Sequence, residues 1–420
     1  MALPTGPVAT SARVPNVTRR TRAPPPLPGS SHRFPVLRRL RSLAHLLRTA
    51  GPGGTAFEIL LRFWPRARVW FWLARSELDT GLFNGVPVTA RLRLFLRGHR
   101  SSGYYYCEFH RRRDWQMYVS HIDSMWSLGQ LNGSNRAILD DKLLFDQTLR
   151  DRGMGHLLPE LHGVIEGGVL RSRGRTRGRT RGMTLSLGTL LREERSLILK
   201  PRDGRHGEGI RICTLDDTGP RVNGRPMPWE ELEALPTGLD GVLVQELCAP
   251  GDYMNRIFPG AASTIRVLTI VPAGGKPRAI RGAQRIATAA SAPLDNITRG
   301  GLPATIAMDS GELGAARNYS PRGLQEFTHH PDTGAPIQGV RIPGWPEIVS
   351  QLEEVVGRLP ELQYVGWDLM VTAPGTFRII EGNHLPGIQL MQLGDPLLAD
   401  PAFRSFLDSH GLAQLVPGSS

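Results

Sequence analysis

The sequence predicts an α+β protein with a mostly antiparallel sheet. Short apolar runs of strand length alternate with segments whose apolar residues recur at helical spacing, but without the strict βαβ repeat of a parallel sheet. The apolar fraction of 40% is enough to build a core. The 420 residues exceed what one compact domain usually needs, so we expect one large two-lobed domain with extensions, or two domains.

Composition divides the chain into three regions. Residues 1–50 form a basic tail, and residues 51–135 form a helical and mixed region. Residues 136–413 form the main domain, which is interrupted by a low-complexity Arg/Gly loop at residues 171–182. This loop cannot bury a core and is predicted to be exposed; a tolerated surface insertion is favoured over an RNA-binding role.

The N-terminal third is predicted to be partly disordered and partly helical. Residues 1–35 are rich in Pro, Arg, Thr and Ser and have few large apolar residues, which is typical of disorder. Apolar residues recur at helical spacing in 34–50 and in 57–78. A core-facing stripe is the favoured interpretation, with a partner or a membrane surface as the alternative. Residues 85–135 are predicted to be mixed strand and loop.

The net charge of +13 belongs to the N-terminal third. Residues 1–135 hold 20 Arg and 6 acidic residues, whereas the remainder holds 31 basic and 32 acidic residues. A basic tail can attract polyanions or acidic lipid headgroups. We favour an Arg-biased solvated tail, with no specific nucleic-acid partner and only weak membrane-surface contact.

Several function classes are disfavoured. No uncharged apolar stretch of about 18 residues predicts a membrane span, and the Arg-punctuated N-terminus does not resemble a secretory signal. The cysteines Cys107, Cys213 and Cys248 have neither disulfide-framework nor zinc-site spacing. A cytoplasmic location is therefore expected.

The main domain contains a series of strands and helices. One helix is predicted from Ala137 to Arg152. Strands are predicted at Leu197–Leu199, Val242–Val244, Ile265–Val271, Ala279–Ile286 and Phe377–Ile380, and further helices at Trp229–Ala234 and Trp345–Leu359.

Lysine is almost absent from this chain. Only Lys142, Lys200 and Lys276 stand beside 48 arginines. Because a compact ammonium is not interchangeable with a planar guanidinium, lysines in such a chain invite a functional explanation. Lys142, at a predicted helix start, and Lys200, at a strand end, are candidate cations for phosphate groups, although a lone lysine is more often a surface residue.

Lys200 opens a glycine-rich segment, KPRDGRHGEGI. Gly204, Gly207 and Gly209 would let the backbone turn sharply and direct N–H groups at an anion. The lysine precedes the glycines, so this is not the P-loop pattern. By itself a glycine-rich segment after a strand is more often an ordinary turn.

The run Val242–Glu246 (VLVQE) predicts a buried strand that ends in polar residues. Such an edge can present backbone groups to an adenine ring, with Gln245 or Glu246 orienting the exocyclic amine. Asp252 is a candidate acceptor for ribose hydroxyls. An ordinary strand running into a loop accounts for these residues equally well.

Acidic residues near the C-terminus give the sharpest signal. Asp368 and the Glu381-Gly382-Asn383 segment are joined through the turn at 373–375, so a hairpin would bring the three polar side chains together. Two carboxylates and an amide oxygen suit magnesium bound with nucleotide phosphates. A purely structural hairpin is the alternative.

These motifs, in this order and spacing, resemble the ATP-grasp superfamily. Within it the chain is similar to the sugar-transfer-associated branch over roughly residues 136–395. The residues that carry the resemblance to this branch include Ser263–Val267, Gln284–Ile286, Asp295-Asn296 with Gly300-Gly301, His330–Gly334, Ile342–Trp345 and the run from Gly366 to Asn383.

The resemblance implies an ATP-grasp fold in which two α+β lobes grip a nucleotide under a glycine-rich lid. It implies roles for the candidate residues: Lys142 and Lys200 with Gly204, Gly207 and Gly209 for phosphates; Gln245, Glu246, Leu247, Cys248 and Asp252 for the nucleoside; Asp368, Glu381 and Asn383 for one or two magnesium ions; Arg266 and Arg285, with Lys200, for the reacting phosphoryl group; and Asn296 and Arg299 for the acceptor side.

The implied chemistry is an ATP- and magnesium-dependent ligation of a small-molecule carboxylate to an amine or another nucleophile through an acyl phosphate. Cell-surface polysaccharide or secondary-metabolite biosynthesis would be the setting. Two alternatives are an ATP-grasp-type phosphotransferase and a nucleotide-binding protein without catalysis. The full set of lysines, arginines and metal ligands argues against the latter.

Overall fold

The computed structural model describes residues 65–79, 85–173, 180–204, 208–320 and 323–418. The predictions for the 1–50 tail, for the helix at 34–50, for Gly207 and for residues 174–179 of the Arg/Gly loop lie outside these residues.

Strands of the described chain form two sheets, and every neighbouring pair of strands within them runs antiparallel. The first sheet has the order β2-β1-β7-β3-β4-β5-β6, and the second has the order β12-β11-β10-β9-β8-β13-β14. The strands are β1 Leu161–Glu166, β2 Val169–Ser172, β3 Ser196–Pro201, β4 Arg211–Asp216, β5 Gly219–Val222, β6 Arg225–Pro226, β7 Val242–Glu246, β8 Ile265–Ile270, β9 Arg278–Ile286, β10 Leu302–Ile306, β11 Leu313–Ser320, β12 Gly323–Phe327, β13 Tyr364–Ala373 and β14 Thr376–Asn383. The predicted α+β class with antiparallel pairing is confirmed.

Helices flank these sheets. They are α1 Pro65–Asp79, α2 Val88–Leu96, α3 Gly103–Tyr106, α4 His121–Trp126, α5 Arg136–Asp140, α6 Lys142–Asp151, α7 Leu187–Glu194, α8 Trp229–Ala234, α9 Asp252–Asn255, α10 Trp345–Gly357 and α11 Pro401–Ser409. Short 3-10 turns lie at Trp115–Met117, Leu128–Gln130, Gly133–Asn135, Gly155–Leu157, Leu235–Gly238, Ile297–Arg299, Leu390–Gln392, Leu397–Ala399 and Ala413–Leu415. Among the described helices, none has the length and apolarity to cross a bilayer.

Each sheet has its own apolar core. Helix α7 buries Leu187, Leu190 and Leu191 in a cluster with strands of the first sheet. Helix α10 buries Trp345, Ile348, Leu352, Val355 and Val356, which recur at helical spacing, in the core of the second sheet. The stripe of α10 has the 3.6-residue period that predicts a helix, and the helix predicted at Trp345–Leu359 is confirmed, whereas no helix was predicted at α7.

The predicted single helix from Ala137 to Arg152 is wrong in one respect, because two helices replace it. The chain breaks at Asp141, whose backbone is extended (φ −116°, ψ 105°) and whose carboxylate accepts from the N–H groups of Leu143 and Leu144 at 3.0 and 3.1 Å. A side chain that caps a new helix competes with continuing the old one. Helix α6 therefore begins at Lys142.

The predicted mixture of strand and loop in residues 85–135 is also wrong. The structure describes helices α2, α3 and α4 with short turns there, and it assigns no strand within these residues. Helix α4 begins after Ser120, whose hydroxyl accepts from the Asp123 N–H at 3.0 Å. Such short helices depend on capping and packing more than on a long apolar period.

The segment that precedes α5 packs against the C-terminal part of the chain. Val119 and Leu128 share an apolar cluster with Tyr364 and with residues of α11. The buried Asn132 side chain accepts from the N–H groups of Gln363 and Tyr364 at 2.8 and 3.1 Å and donates to the Tyr364 carbonyl at 2.8 Å. This amide therefore anchors the first residue of β13.

Replacing Asn132 by Ala should lower the free energy of unfolding by about 2–3 kcal/mol, because buried backbone groups of β13 lose their partner. Urea denaturation followed by circular dichroism measures the change. Asn255→Ala is the matched control, since this exposed amide donates a single hydrogen bond to the Pro250 carbonyl. Equal effects of the two substitutions would contradict the anchoring role.

Candidate functional site

The site is built on the β13–β14 hairpin of the second sheet. Asp368 pairs across the strands with Glu381, and Gly366 pairs with Asn383. A two-residue turn, Pro374-Gly375, joins the strands, and Gly375 has a φ of +66°, which favours glycine. The hairpin predicted from the turn and the two polar ends is therefore present, and it brings the three predicted metal ligands together.

The residue between Glu381 and Asn383 is Gly382, and the surrounding structure leaves no room for a side chain there. A Cβ at this position would lie 2.7 Å from Leu139 Cδ2 and 3.0 Å from Phe145 Cε2. Helices α5 and α6 thus pack directly on the strand that carries the two polar residues. This close approach sets the position of Lys142, at the start of α6, relative to the hairpin.

Asp368 is a buried carboxylate held by two arginines. The Arg266 Nε and Nη2 groups both donate to it, the second at 2.8 Å, and Arg285 Nη2 lies 3.2 Å from Asp368 Oδ2. Burial by itself would raise the pKa of Asp368, but the two guanidinium groups keep that pKa below its ordinary value. Asp368 is therefore ionised at neutral pH.

Arg285 also joins a second buried carboxylate to the site. Its Nη2 group lies 3.2 Å from Asp295 Oδ1 and donates to the Thr264 hydroxyl at 2.6 Å. Asp295 Oδ2 in turn accepts from the N–H and the hydroxyl of Thr264, each at 2.7 Å. Burial lowers the pKa of Arg285, but the carboxylates of Asp295, Asp368 and Glu381 raise it by a larger amount. The net pKa lies above its ordinary value, so the guanidinium stays charged.

Sequence reasoning assigned no role to Asp295. The residue stood in the Asp295-Asn296 motif, but only Asn296 was given a function. Thr264, which directly precedes β8 and stands in the Ser263–Val267 motif, was likewise assigned no role. Thr264 and Asp295 are 31 residues apart, and this spacing does not predict their hydrogen bonds.

Lys200 comes to the site from the first sheet. It lies on β3, opposite Leu243 of β7, and its side chain is buried. Burial lowers the pKa of Lys200, and the attraction of Glu381 opposes that effect most strongly. Lys142 and Asp368 also act on the same ammonium group. Charges from both sheets therefore meet at Lys200.

Lys142 is tied to the glycine-rich segment. Its Nζ donates to the Gly204 carbonyl at 2.5 Å, and its backbone N–H donates to the Arg202 carbonyl at 3.0 Å. Arg202 also forms an ion pair with Asp141, with 2.6 Å between Nη2 and Oδ2. The start of α6 and the segment after β3 are thus held together by three polar contacts, and the Asp141–Arg202 pair was not predicted.

The remaining glycine prediction concerns Gly209. It has a φ of +73°, and a Cβ there would lie 2.8 Å from Pro201 Cγ. Gly204 N–H donates to the Pro201 carbonyl at 3.4 Å, so the described ends of the segment fold back on Pro201. A Cβ on Gly204 would lie 3.1 Å from Pro201 Cβ and 3.2 Å from the Glu208 carbonyl oxygen, so space beside both glycines is tight.

The predicted adenine segment follows β7. Gln245 is buried, Glu246 Oε2 accepts from the Glu160 N–H at 3.0 Å, and Leu247 is half-buried. Burial raises the pKa of the Cys248 thiol to about 11, which keeps it protonated. Asp252 is exposed at the start of α9.

The predicted acceptor residues lie on the 3-10 turn after β9. Asn296 Oδ1 accepts from the N–H and the hydroxyl of Thr298 at 2.9 and 2.7 Å, so this side chain caps its own turn. Arg299 is exposed. The structure thus shows a structural task for Asn296, and the role of both residues toward an acceptor stays a prediction.

One further residue beside the hairpin was missed. His384 directly follows Asn383, and its Nδ1 lies 3.1 Å from Asp140 Oδ1. The contact joins the end of β14 to the end of α5. Its position next to a predicted metal ligand was the only sequence signal for it.

Comparison with known families decides the classification. A family model described as sugar-transfer associated ATP-grasp matches residues 129–400, well over half of the chain. The chain belongs to this family. The predicted ATP-grasp fold, with its two α+β lobes, and the predicted branch are both confirmed. No match was found among curated proteins.

Solved structures similar to this ATP-grasp chain are remote. An ADP complex of N5-carboxyaminoimidazole ribonucleotide synthetase has 11% identity and a TM-score of 0.34, over 60% of this chain and 47% of that one. D-alanine–D-alanine ligase from Bacillus anthracis has 15% identity and a TM-score of 0.34, over 68% of each chain. D-alanyl-alanine synthetase A from Vibrio cholerae has 11% identity and a TM-score of 0.32, over 69% and 66%. This chain spans about half the length of the first of these proteins, so the fold assignment rests on the family match and the two sheets.

ATP-grasp enzymes usually use magnesium, and the hairpin residues fit such an ion in part. Among the described residues, no three His, Cys, Asp or Glu side chains gather as a metal centre. Glu381 and Asn383 lie close together, with the Asn383 amide nitrogen 3.4 Å from Glu381 Oε1, and both side chains carry hard oxygens of the kind that suits magnesium bound with phosphate and water. Asp368, held by Arg266 and Arg285, would join as a ligand only by exchanging an arginine contact.

Proposed function

We propose that this ATP-grasp protein is an ATP- and magnesium-dependent ligase that joins a carboxylate to an amine or another nucleophile. The proposal rests on Lys200 of the first sheet, whose buried ammonium group is influenced by Glu381 and Asp368 of the second sheet and by Lys142 at the start of α6. Lys200 on the first sheet, Lys142 at the start of α6 and the two carboxylates of the second sheet are the kinds of charge that a magnesium triphosphate needs around it.

In the proposed reaction, a carboxylate oxygen attacks the γ-phosphorus of ATP, and the bond to the bridging oxygen breaks to release ADP. The nucleophile then attacks the acyl carbon, inorganic phosphate leaves with the bonding electrons, and the nucleophile loses a proton. Lys142 and Lys200 would bind the phosphates as point charges. Arg285, which stays charged despite burial, would face the transferred phosphoryl group. Magnesium held by Glu381 and Asn383 would neutralise charge on the phosphates.

The nucleoside and acceptor parts of the proposal rest on position along the chain. Gln245 and Glu246 end β7, and Leu247 and Cys248 follow it; because β7 pairs with the strand of Lys200, this position supports a role in binding adenine. Asp252 would accept from the ribose, and Asn296 and Arg299 would contact the acceptor. A cytoplasmic setting and a role in cell-surface polysaccharide or secondary-metabolite synthesis belong to the same proposal.

The test is an assay of the full chain with ATP, magnesium and a panel of acids, with and without amines. We expect phosphate release that requires both substrates, and we expect hydroxylamine to trap a hydroxamate from the acid alone. A stable phosphorylated product would instead identify a phosphotransferase. Nucleotide binding without turnover across the panel would contradict both reactions.

A matched pair of variants tests the site. Glu381→Gln should abolish ligation and raise the magnesium concentration needed for ATP binding, because a charged oxygen donor is lost. Glu312→Gln is the control, since Glu312 forms an exposed ion pair with Arg341 away from the hairpin. Equal activity of the two variants would contradict the assignment.

A further inference from the structure

Helices α1 and α2 form an antiparallel pair at the N-terminal end of the described chain. The rings of Trp70 and Phe95 meet edge to face at 5.4 Å between centroids. At the other end of the pair, Arg91 Nη2 lies 3.6 Å from Glu77 Oε2. Because the start of α1 meets the end of α2, the two helices run in opposite directions.

This helix pair exposes large apolar side chains. On α2 they are four residues apart, with exposed fractions of 79% for Val88, 58% for Leu92 and 66% for Leu96. On α1 the corresponding values are 38% for Phe71 and 66% for Leu78. Single exposed apolar residues are ordinary, but a repeated stripe on two neighbouring helices marks an interaction surface.

The two stripes lie on one side of the pair. Phe71 and Leu78 each follow a residue that contacts α2, namely Trp70 and Glu77. Leu92 and Leu96 likewise each follow a residue that contacts α1, namely Arg91 and Phe95.

In two antiparallel helices, the same one-residue step of about 100° from the contact line leads to the same side of the pair. The buried residues Leu73 and Leu94 lie on the opposite side, toward the rest of the protein. The apolar stripes therefore lie on the same outward side of the pair, which we call the α1–α2 face.

The surroundings of the α1–α2 face are basic. Helix α2 (VTARLRLFL) has no acidic residue, and Arg93 and Arg97 are exposed beside its apolar stripe. Arg75 is exposed between Phe71 and Leu78 on α1. The 64 residues that precede α1 contain ten arginines and a single acidic residue, Glu58. An apolar stripe bordered by arginines is typical of a helix that lies in the interface of an anionic membrane.

We infer that the α1–α2 face docks on an anionic lipid surface, a role that goes beyond the proposed reaction. The apolar stripe favours lipid over nucleic acid, because a phosphate backbone offers nothing to Val88, Leu92 and Leu96. The arginine content favours anionic over neutral lipid, since guanidinium groups pair with acidic headgroups.

The experiment is vesicle co-sedimentation of the full chain. One set of vesicles contains phosphatidylcholine alone, and in the other set about one lipid in three is phosphatidylglycerol. Binding should be at least about tenfold stronger to the anionic vesicles and should weaken in high salt. The double substitution Leu92→Glu/Leu96→Glu should reduce binding at least about tenfold. Met183→Glu, at an exposed apolar residue outside the face, is the control and should bind like the parent chain.

Three results would overturn the inference. Equal binding to neutral and anionic vesicles would exclude charge recognition. Unchanged binding of the double variant would place contact in the preceding 64 residues instead. A parent chain that binds no vesicles but becomes monomeric on Leu92→Glu/Leu96→Glu, judged by light scattering, would show that a second copy covers the face. Circular dichroism of the double variant confirms that it is folded.

Discussion

Replacing Lys200 by Met is expected to reduce ATP turnover by about 10³-fold or more, the order found when a cation is removed from a phosphoryl-transfer site. Met keeps the buried aliphatic stem but removes the ammonium that Glu381, Lys142 and Asp368 all act on. The fold should be retained, because a desolvated charge is replaced by an apolar group of similar length. Steady-state phosphate release measures the loss.

Lys276→Met is the matched control, since it removes the exposed lysine between β8 and β9 from a chain that has only three. Its turnover should equal that of the parent chain. If the two variants retained the same turnover, Lys200 would have no part in binding phosphate.

The difference in stability between the parent chain and Lys200→Met should depend on pH. Burial holds the pKa of Lys200 below its value in the unfolded chain. Between these two pKa values the unfolded chain binds more protons, so the free energy of unfolding rises with pH. The parent chain should therefore gain stability relative to Lys200→Met as pH rises toward about 10, where the unfolded lysine begins to lose its proton. Urea midpoints at several pH values measure this; a constant difference would show that the lysine is not desolvated.

Replacing Arg266 by Met should lower the free energy of unfolding by about 3–5 kcal/mol, because it leaves the buried Asp368 carboxylate short of a partner. Arg266 donates to Asp368 through two nitrogens and to the Pro386 carbonyl at 2.9 Å. Arg285 would be the remaining guanidinium beside Asp368, so the pKa of this carboxyl group should rise toward its ordinary value or above. Urea denaturation at neutral pH measures the change in stability.

Arg341→Met is the control, because it removes the same charge from an exposed position. Arg341 forms an exposed ion pair with Glu312 at 3.3 Å, and its removal should cost less than about 1 kcal/mol. Comparable losses in the free energy of unfolding for the two variants would contradict the stabilising role of the buried Arg266–Asp368 pair. Asp368→Asn in the Arg266→Met background should recover part of the lost stability, because it removes the uncompensated charge.

The parts of the fold predicted correctly have strong local signals. The strand that holds Lys200 is a run of Leu and Ile, and α10 has apolar residues at a regular helical period. The β13–β14 hairpin could be predicted because Pro374-Gly375 turns the chain between two apolar strands. Alternation across that hairpin then placed Asp368 opposite Glu381, so the polar cluster was within reach of sequence reasoning.

The parts that failed depend on contacts between distant residues. The helix break at Asp141 follows from capping by its carboxylate and from the ion pair with Arg202, 61 residues away. The carboxylate contacts of Arg266 and Arg285 were not predicted either, because no periodicity brings these residues together; the role of both arginines toward a phosphoryl group stays a prediction. The short helices of 85–135 lack the repeated stripe that would have identified them, and the GYYY segment of α3 has strand-forming aromatics.

The anchoring of β13 by Asn132 bears on how the protein should be shortened for expression. A chain that starts at residue 136, the boundary indicated by composition, loses this amide together with Val119 and Leu128, and it uncovers the apolar surface around Tyr364. Tyr364 is only four residues from Asp368 along the same strand. We therefore expect the minimal fragment with an ordered hairpin to start upstream of Val119, and a shorter one to aggregate before it can be assayed.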